Sequence, residues 1–246
     1  METVEKPQVS RRNFLAALGA GAGAATLGLA ACTKEPIPEP VDGDGMIRPG
    51  LPPAQPDPEN MFGVDKNVNM STIDGFIASG ATDGAVKIDL RLVDDPARYE
   101  AIGGDSKLSM MLEGFTIVPY PYMGTLQTLP VEGAYTGPCL YAVTWDDAGN
   151  VASAIPNYTQ APDLLAELFP KDKPILLMCG GGGYAGMMRK LLIHLGWDSE
   201  KIYNLGGMWD YVGDYPVQLI SYADRTQPEY YLWRAKMPVI DFGTLR

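Results

Sequence analysis

Histidine is almost missing from this chain: His194 is the only one among 246 residues. Chemistry that needs an imidazole base therefore has a single candidate. His194 falls at the edge of a helical stripe, more than two turns past its start, where a structural flank is the expected role. Cysteine is scarce as well, at positions 32, 139 and 179, too few for a disulfide framework. Basic residues are outnumbered, 19 Lys and Arg against 30 Asp and Glu, for a net charge of −11. That balance speaks against nucleic acid as a partner and against electrostatic docking onto anionic lipid. Long apolar runs are limited to Phe14–Ala31, which is glycine-rich and barely long enough to span a bilayer. No internal repeat is found.

The apolar run has informative neighbours. Ser10-Arg11-Arg12-Asn13-Phe14-Leu15 has the form of a twin-arginine export signal, and Leu29-Ala30-Ala31-Cys32 resembles a lipobox. The alternative is a short membrane-spanning helix that is never removed. With arginines before the run and a lipobox after it, processing is the expected fate of residues 1–31. Cys32 then becomes the lipidated first residue, held by acyl chains on the outer face of a bacterial membrane in the cell envelope.

Residues 32–60 are dense in proline and acid and lack apolar periodicity. They are expected to form a disordered tether, because they cannot bury enough surface to offset ordering entropy. The remaining chain is long enough for one domain with a full core.

That domain, 61–220, has the alternating pattern of an α/β fold with a mostly parallel sheet and helices on both faces. Strands are expected at Gly63–Asn67, Val86–Leu90, Thr116–Val118, Leu140–Trp145, Ile175–Met178 and Ile202–Asn204. Helices are expected at Ile73–Ser79, Pro96–Ile102, Gln160–Phe169, Tyr184–Leu195 and Met208–Val212. Leu140–Ile155 has the pattern of a hairpin turning at Asp146–Asn150. The tail, 221–246, is aromatic enough to pack back on the domain.

Chemistry concentrates at Pro174-Ile-Leu-Leu-Met-Cys179-Gly180-Gly181-Gly182-Gly183-Tyr184-Ala185-Gly186. A thiol at the mouth of a strand–loop–helix unit sits where backbone N–H groups converge, and the helix dipole adds to their field. Consecutive glycines let those groups face one point without side chains between them. The alternative is a buried, inert thiol. A packing role leaves four consecutive glycines unexplained, each entropically costly unless its conformation is needed. A Cys-x5-Arg phosphatase needs arginine where Ala185 stands, and a nucleotide P-loop needs Gly-Lys-Ser/Thr where Gly186 is followed by Met187 and Met188.

Downstream, an apolar helix face (Met187, Met188, Leu191, Leu192, Leu195) ends at Gly196-Trp197. Then come Lys201-Ile-Tyr-Asn204, Leu205-Gly-Gly-Met-Trp209, Gly213 and Pro216-Val217. Upstream lies Val86-Lys-Ile-Asp89-Leu-Arg91. This order, from about Met61 to Leu219, resembles a rhodanese (sulfurtransferase) domain, and 120–157 then reads as an insertion carrying the hairpin. The resemblance implies a persulfide on Cys179, formed from a small sulfur-containing anion or a persulfide donor and passed to a thiol acceptor, which could be a protein. No metal or cofactor is implied. Gly180 to Ala185 would form the binding loop, with Arg91 and Trp209 as pocket walls. Arg91 has an equal reading as the partner of Asp89, and Trp209 as a core residue. Cys139 reads as a small buried residue, or as a resolving thiol. A catalytically silent module of the same form would instead capture an anion or a partner's thiol at the glycine loop.

The export reading is testable by itself. Arg11→Lys with Arg12→Lys should trap precursor in the cytoplasm. Cys32→Ser should abolish fatty-acid incorporation without stopping translocation, since each buried acyl CH₂ contributes about 0.8 kcal/mol to anchoring. Continued export of the double-lysine form, or continued labelling of the serine form, would overturn it.

Overall fold

The computed structural model describes residues 50–92, 110–127, 135, 137–218, 220–222, 230–232 and 240–246. The signal segment 1–31, Cys32 and the expected helix Pro96–Ile102 lie outside them.

Four strands form the central sheet: β1 (Val86–Asp89), β3 (Thr116–Ile117), β6 (Ile175–Cys179) and β7 (Ile202–Gly207). Their order is β3-β1-β6-β7, and every pairing is parallel. The apolar run Ile-Leu-Leu-Met-Cys of β6 is continuous because both of its faces are buried, the signature of a strand inside a parallel sheet. Its odd residues, Ile175, Leu177 and Cys179, enter a cluster with Leu165, Met188, Leu191 and Leu192. These belong to helices α3 (Ala161–Leu168) and α4 (Gly183–His194). Its even residues, Leu176 and Met178, face a second cluster containing Ile73, Met111, Phe115 and Met208. Ile73 opens helix α1 (Ile73–Ala78), which covers that side. The chain is thus α/β, with helices packed on both sheet faces.

Helix α4 ends as its sequence implies. Gly196 takes φ +90°, and the N–H of Trp197 reaches back to the Leu192 carbonyl at 3.0 Å. The Trp197 indole N–H then donates to the Phe169 carbonyl at 2.7 Å, tying α4 to the end of α3.

The hairpin expected between Leu140 and Ile155 is present as β4 (Tyr141–Trp145) and β5 (Val151–Pro156). Its turn closes with Asp146 N–H donating to the Asn150 carbonyl at 2.9 Å. Lys190 of α4 donates to the Gly149 carbonyl at 2.6 Å, holding the hairpin beside the helix. A short helix α2 (Tyr120–Met123) precedes it. Two strand pairs lay outside the expectations: β2 (Met110–Leu112) with β8 (Pro216–Gln218), and β9 (Ile220–Tyr222) with β10 (Tyr230–Leu232). At the chain end Phe242 packs on Tyr122 and Tyr158, with ring centroids 5.9 and 5.8 Å apart. The last residues of the tail therefore do return to the domain.

Three expectations need correction. Gly63–Asn67 is not a strand, although Asp65 N–H donates to the Asn204 carbonyl at 2.8 Å beside β7. The buried Asp65 carboxylate accepts from the N–H groups of Asn67 and Val68 at 2.9 and 2.8 Å. Such side-chain bonds compete with a ladder and curl the backbone. Met208–Val212 is only a 3₁₀ turn over Met208–Asp210, because Tyr211 closes it with an N–H on the Met208 carbonyl at 3.3 Å and then turns extended (ψ 129°).

The third correction is the tether, whose last part, residues 51–60, is folded. Ala54 N–H donates to the Glu200 carbonyl at 2.8 Å, and Tyr203 O–H donates to the Pro52 carbonyl at 2.6 Å. Leu51 and Ala54 pack against the second core cluster. Proline density misled here because these prolines line an extended segment whose remaining N–H groups still find partners. A chain beginning at Met61 should consequently be less stable than one beginning at Gly50 by about 2–4 kcal/mol in urea unfolding. Equal midpoints would return the boundary to Met61.

Candidate functional site

Parallel strands bring their C-terminal ends to one edge, where open α/β sheets bind ligands. Here that edge carries Cys179 at the end of β6, Gly206-Gly207 at the end of β7, and Asp89 at the end of β1. The chain leaves Cys179 through Gly180, Gly181 and Gly182 and enters α4. Gly182 sits at φ +93°, ψ −14° as the helix N-cap, a left-handed conformation in which a side chain is strained. Its N–H lies 3.0 Å from the Cys179 sulfur.

The amides of Ala185, Gly182, Tyr184 and Gly181 all favour the thiolate of Cys179. Burial opposes them and prevails: Cys179 is only 4% exposed, and desolvation pushes the thiol above its ordinary range. The converging N–H groups expected at this loop are present, but they do not lower the resting thiol's pKa. The amides instead form a preset cradle that acts on whatever negative charge reaches the sulfur.

Gly207 explains why the loop can lie where it does. A β-carbon there would fall inside the carbonyl of Gly180, so the two strand ends touch backbone to backbone. Trp209 N–H seals this contact on the Gly180 carbonyl. The Trp209 ring lies on Gly181, 2.7 Å from where a β-carbon on that glycine would stand, and the Phe62 ring lies 3.5 Å from the equivalent point on Gly183. Trp209 is 44% exposed, so it belongs to the wall of the loop and not to the core.

Tyr184 leans the other way. Its ring stacks on buried Tyr120 at 5.8 Å and 28°, and burial with the neighbouring Cys179 charge pushes its phenol up to about 12. Ala185 is buried under the loop. Arg91 takes the structural role: it is 3% exposed, pairs with Asp89 at 2.5 Å, and donates to the Met110 carbonyl at 2.6 Å. Its guanidinium therefore braces the end of β1 against β2. Cys139 is half-buried just before β4, with its thiol on the Tyr141 carbonyl at 3.2 Å and its pKa raised by desolvation. His194 is exposed at the far end of α4, distant along the helix from Cys179.

One residue of the site was missed in the sequence. Asn204, 1% exposed, donates to the Phe62 carbonyl at 2.8 Å and to the Gly182 carbonyl at 3.2 Å. Its Oδ1 accepts from Gly206 N–H at 3.0 Å. A single amide side chain thus ties the glycine turn, the segment before β1 and the end of β7. The available signal was a polar residue inside the otherwise apolar Ile202-Tyr-Asn-Leu205 strand, which must find buried partners.

Comparison with family models, with curated proteins and with solved structures finds no match to this chain.

Asn204→Ala takes the side-chain partner from the Phe62 carbonyl and the Gly206 N–H and leaves the Gly182 carbonyl with the Gly186 N–H alone, which should reduce stability by about 1–3 kcal/mol. Because Gly182 would lose its brace, Cys179 should also alkylate more slowly with iodoacetamide between pH 8 and about pH 10. Cys139 in the same molecule supplies the reference rate. An unchanged ratio of Cys179 to Cys139 alkylation would show that Asn204 does not shape the cradle.

Proposed function

We propose that this protein is a rhodanese-like sulfurtransferase that carries sulfane sulfur as a persulfide on Cys179. The observation that supports it most is the set of four backbone amides converging on a buried cysteine sulfur at the C-terminal edge of a parallel sheet. The contact of Gly180 with Gly207, and the Asp89–Arg91 pair on the neighbouring strand, agree with the order of elements on which the resemblance rests.

In the loading step the Cys179 thiolate attacks the outer sulfur of a donor. With thiosulfate the donor's S–S bond breaks, its electron pair leaves with sulfite, and Cys179 holds a new S–S⁻ group. No net oxidant is consumed. The extra sulfur carries the charge, and the amides of Gly181, Gly182, Tyr184 and Ala185 stabilise it without a general base. In the unloading step an acceptor thiolate attacks that outer sulfur, the S–S bond breaks, and Cys179 recovers its electron pair as thiolate.

Burial that keeps the resting thiol protonated favours a second reading, a catalytically silent module that captures an anion or a partner's thiol at the loop. The N-terminal signal adds a location: we propose export by the twin-arginine route and a lipid anchor on Cys32, on the outer face of a bacterial membrane.

Incubation with thiosulfate or polysulfide should add the mass of one sulfur atom to the soluble domain. Cyanide or dithiothreitol should remove it, and Cys179→Ser should not acquire it. No gain with any sulfane donor, or a gain in the serine variant, would reject the enzyme reading.

A further inference from the structure

We propose that the surface around the Cys179 loop is the docking face for a protein partner presenting a cysteine set among apolar residues and flanked by lysine or arginine. The proposal rests on the persulfide reading and names the acceptor class of the same site.

Among the described residues five large apolar side chains are conspicuously exposed; Phe62 and Trp209 lie on this loop, and two more are their near neighbours along the chain. Phe62 (38%) and Trp209 (44%) lay their rings on Gly183 and Gly181, the two residues flanking the Gly182 N–H that faces the sulfur. Met61 (83%) directly precedes Phe62 in the chain, and Val212 (84%) stands three residues after Trp209. Leaving such surface in water is unfavourable by about 25 cal/mol per Å², and an apolar patch around a reactive centre marks a contact surface. Tryptophan, here laid on the loop itself, is among the residue types that dominate binding energy.

Charge selects the partner. The patch is edged by exposed Glu59 and Asp210, on a chain of net charge −11. Arg91, the cation expected at the mouth, is buried against Asp89. A small free anion finds the loop amides but not Arg91 there, and an acidic protein is repelled. A polypeptide with apolar residues at its centre and cations at its rim matches both features. Once it is docked, its thiolate attacks the outer sulfur on Cys179. The Cys179 S–S bond breaks, the electron pair returns to Cys179, and the partner leaves as a persulfide.

The test separates docking from chemistry by using a fluorescent peptide whose central cysteine is replaced by serine, flanked by leucines and then lysines. A control peptide carries glutamates in place of the lysines. Fluorescence anisotropy on the wild-type protein should show the lysine peptide binding at least about tenfold more tightly at low salt, with the difference shrinking as salt rises. Glu59→Lys with Asp210→Lys should abolish the preference, and separately Met61→Ser with Val212→Ser should weaken the binding of both peptides at least about threefold. Both variants should keep the wild-type circular dichroism and the uptake of one sulfur from polysulfide. Equal binding of the two peptides, a preference untouched by the lysine variant, or binding untouched by the serine variant overturns the proposal. If the peptides bind alike while Cys179 still takes up sulfur, docking fails and the persulfide reading stands. If the lysine peptide binds selectively while Cys179 takes up none, the chemistry fails and the docking face stands.

Discussion

Everything at this site depends on the approach of two strand ends, β6 at Gly180 and β7 at Gly207, to backbone contact. Parallel strands in register would normally diverge into separate loops beyond the sheet edge. Here the pairing shifts between Leu177 and Cys179 and resumes at Gly207, which brings the Gly206-Gly207 turn beneath the cysteine loop. With no β-carbon at Gly207, the Gly180 carbonyl can accept from Trp209 N–H. That bond directs the loop's amides back toward the sulfur instead of outward to water. Asn204 braces the same contact from below, with its amide shared between Gly182 and Phe62 and its oxygen on Gly206.

A second constraint sets the chemical character of Cys179. It belongs to the strand's buried face, in one cluster with Met188 and Leu191, so water cannot solvate a thiolate there. Four amides partly replace that solvation. Burial weakens the free thiol as an acid, while the same low-dielectric setting strengthens each amide's pull on a charge that has already formed. A site of this kind favours holding a delocalised, softer sulfur anion over maintaining a bare thiolate at rest.

Much of the architecture was legible because it follows from local rules. The apolar run of β6, the 3.6-residue stripe of α4 with its Gly196 stop, and the Asp146–Asn150 turn each carry their structure in a short window of sequence. The cysteine loop was legible for the same reason, since four glycines before a helix have few other uses. What escaped is non-local. Whether residues 51–60 fold depends on Glu200 and Tyr203, far along the chain. The pairing of Met110–Leu112 with Pro216–Gln218 joins segments that show no period of their own. Asn204 looked like the end of a strand, and its role exists only because Gly182 and Phe62 arrive beside it.

Arg91 shows how the two kinds of information combine. Its motif, Asp89-Leu-Arg91, was compatible with either a pocket cation or an internal ion pair. Burial decides between them: the guanidinium is 3% exposed and held by charge-assisted bonds to Asp89 and to the Met110 carbonyl. Breaking that pair to greet a substrate would leave a carboxylate unpaired in the core, a loss of about 3–5 kcal/mol. The arginine therefore fixes the end of β1 and the β2 segment against it, and the described mouth of the loop is left to backbone dipoles and aromatic rings. Around those dipoles Phe62 and Trp209 stand exposed, one against Gly183 and the other against Gly181, so the surface next to the sulfur's cradle is aromatic where an arginine was one of the two expectations.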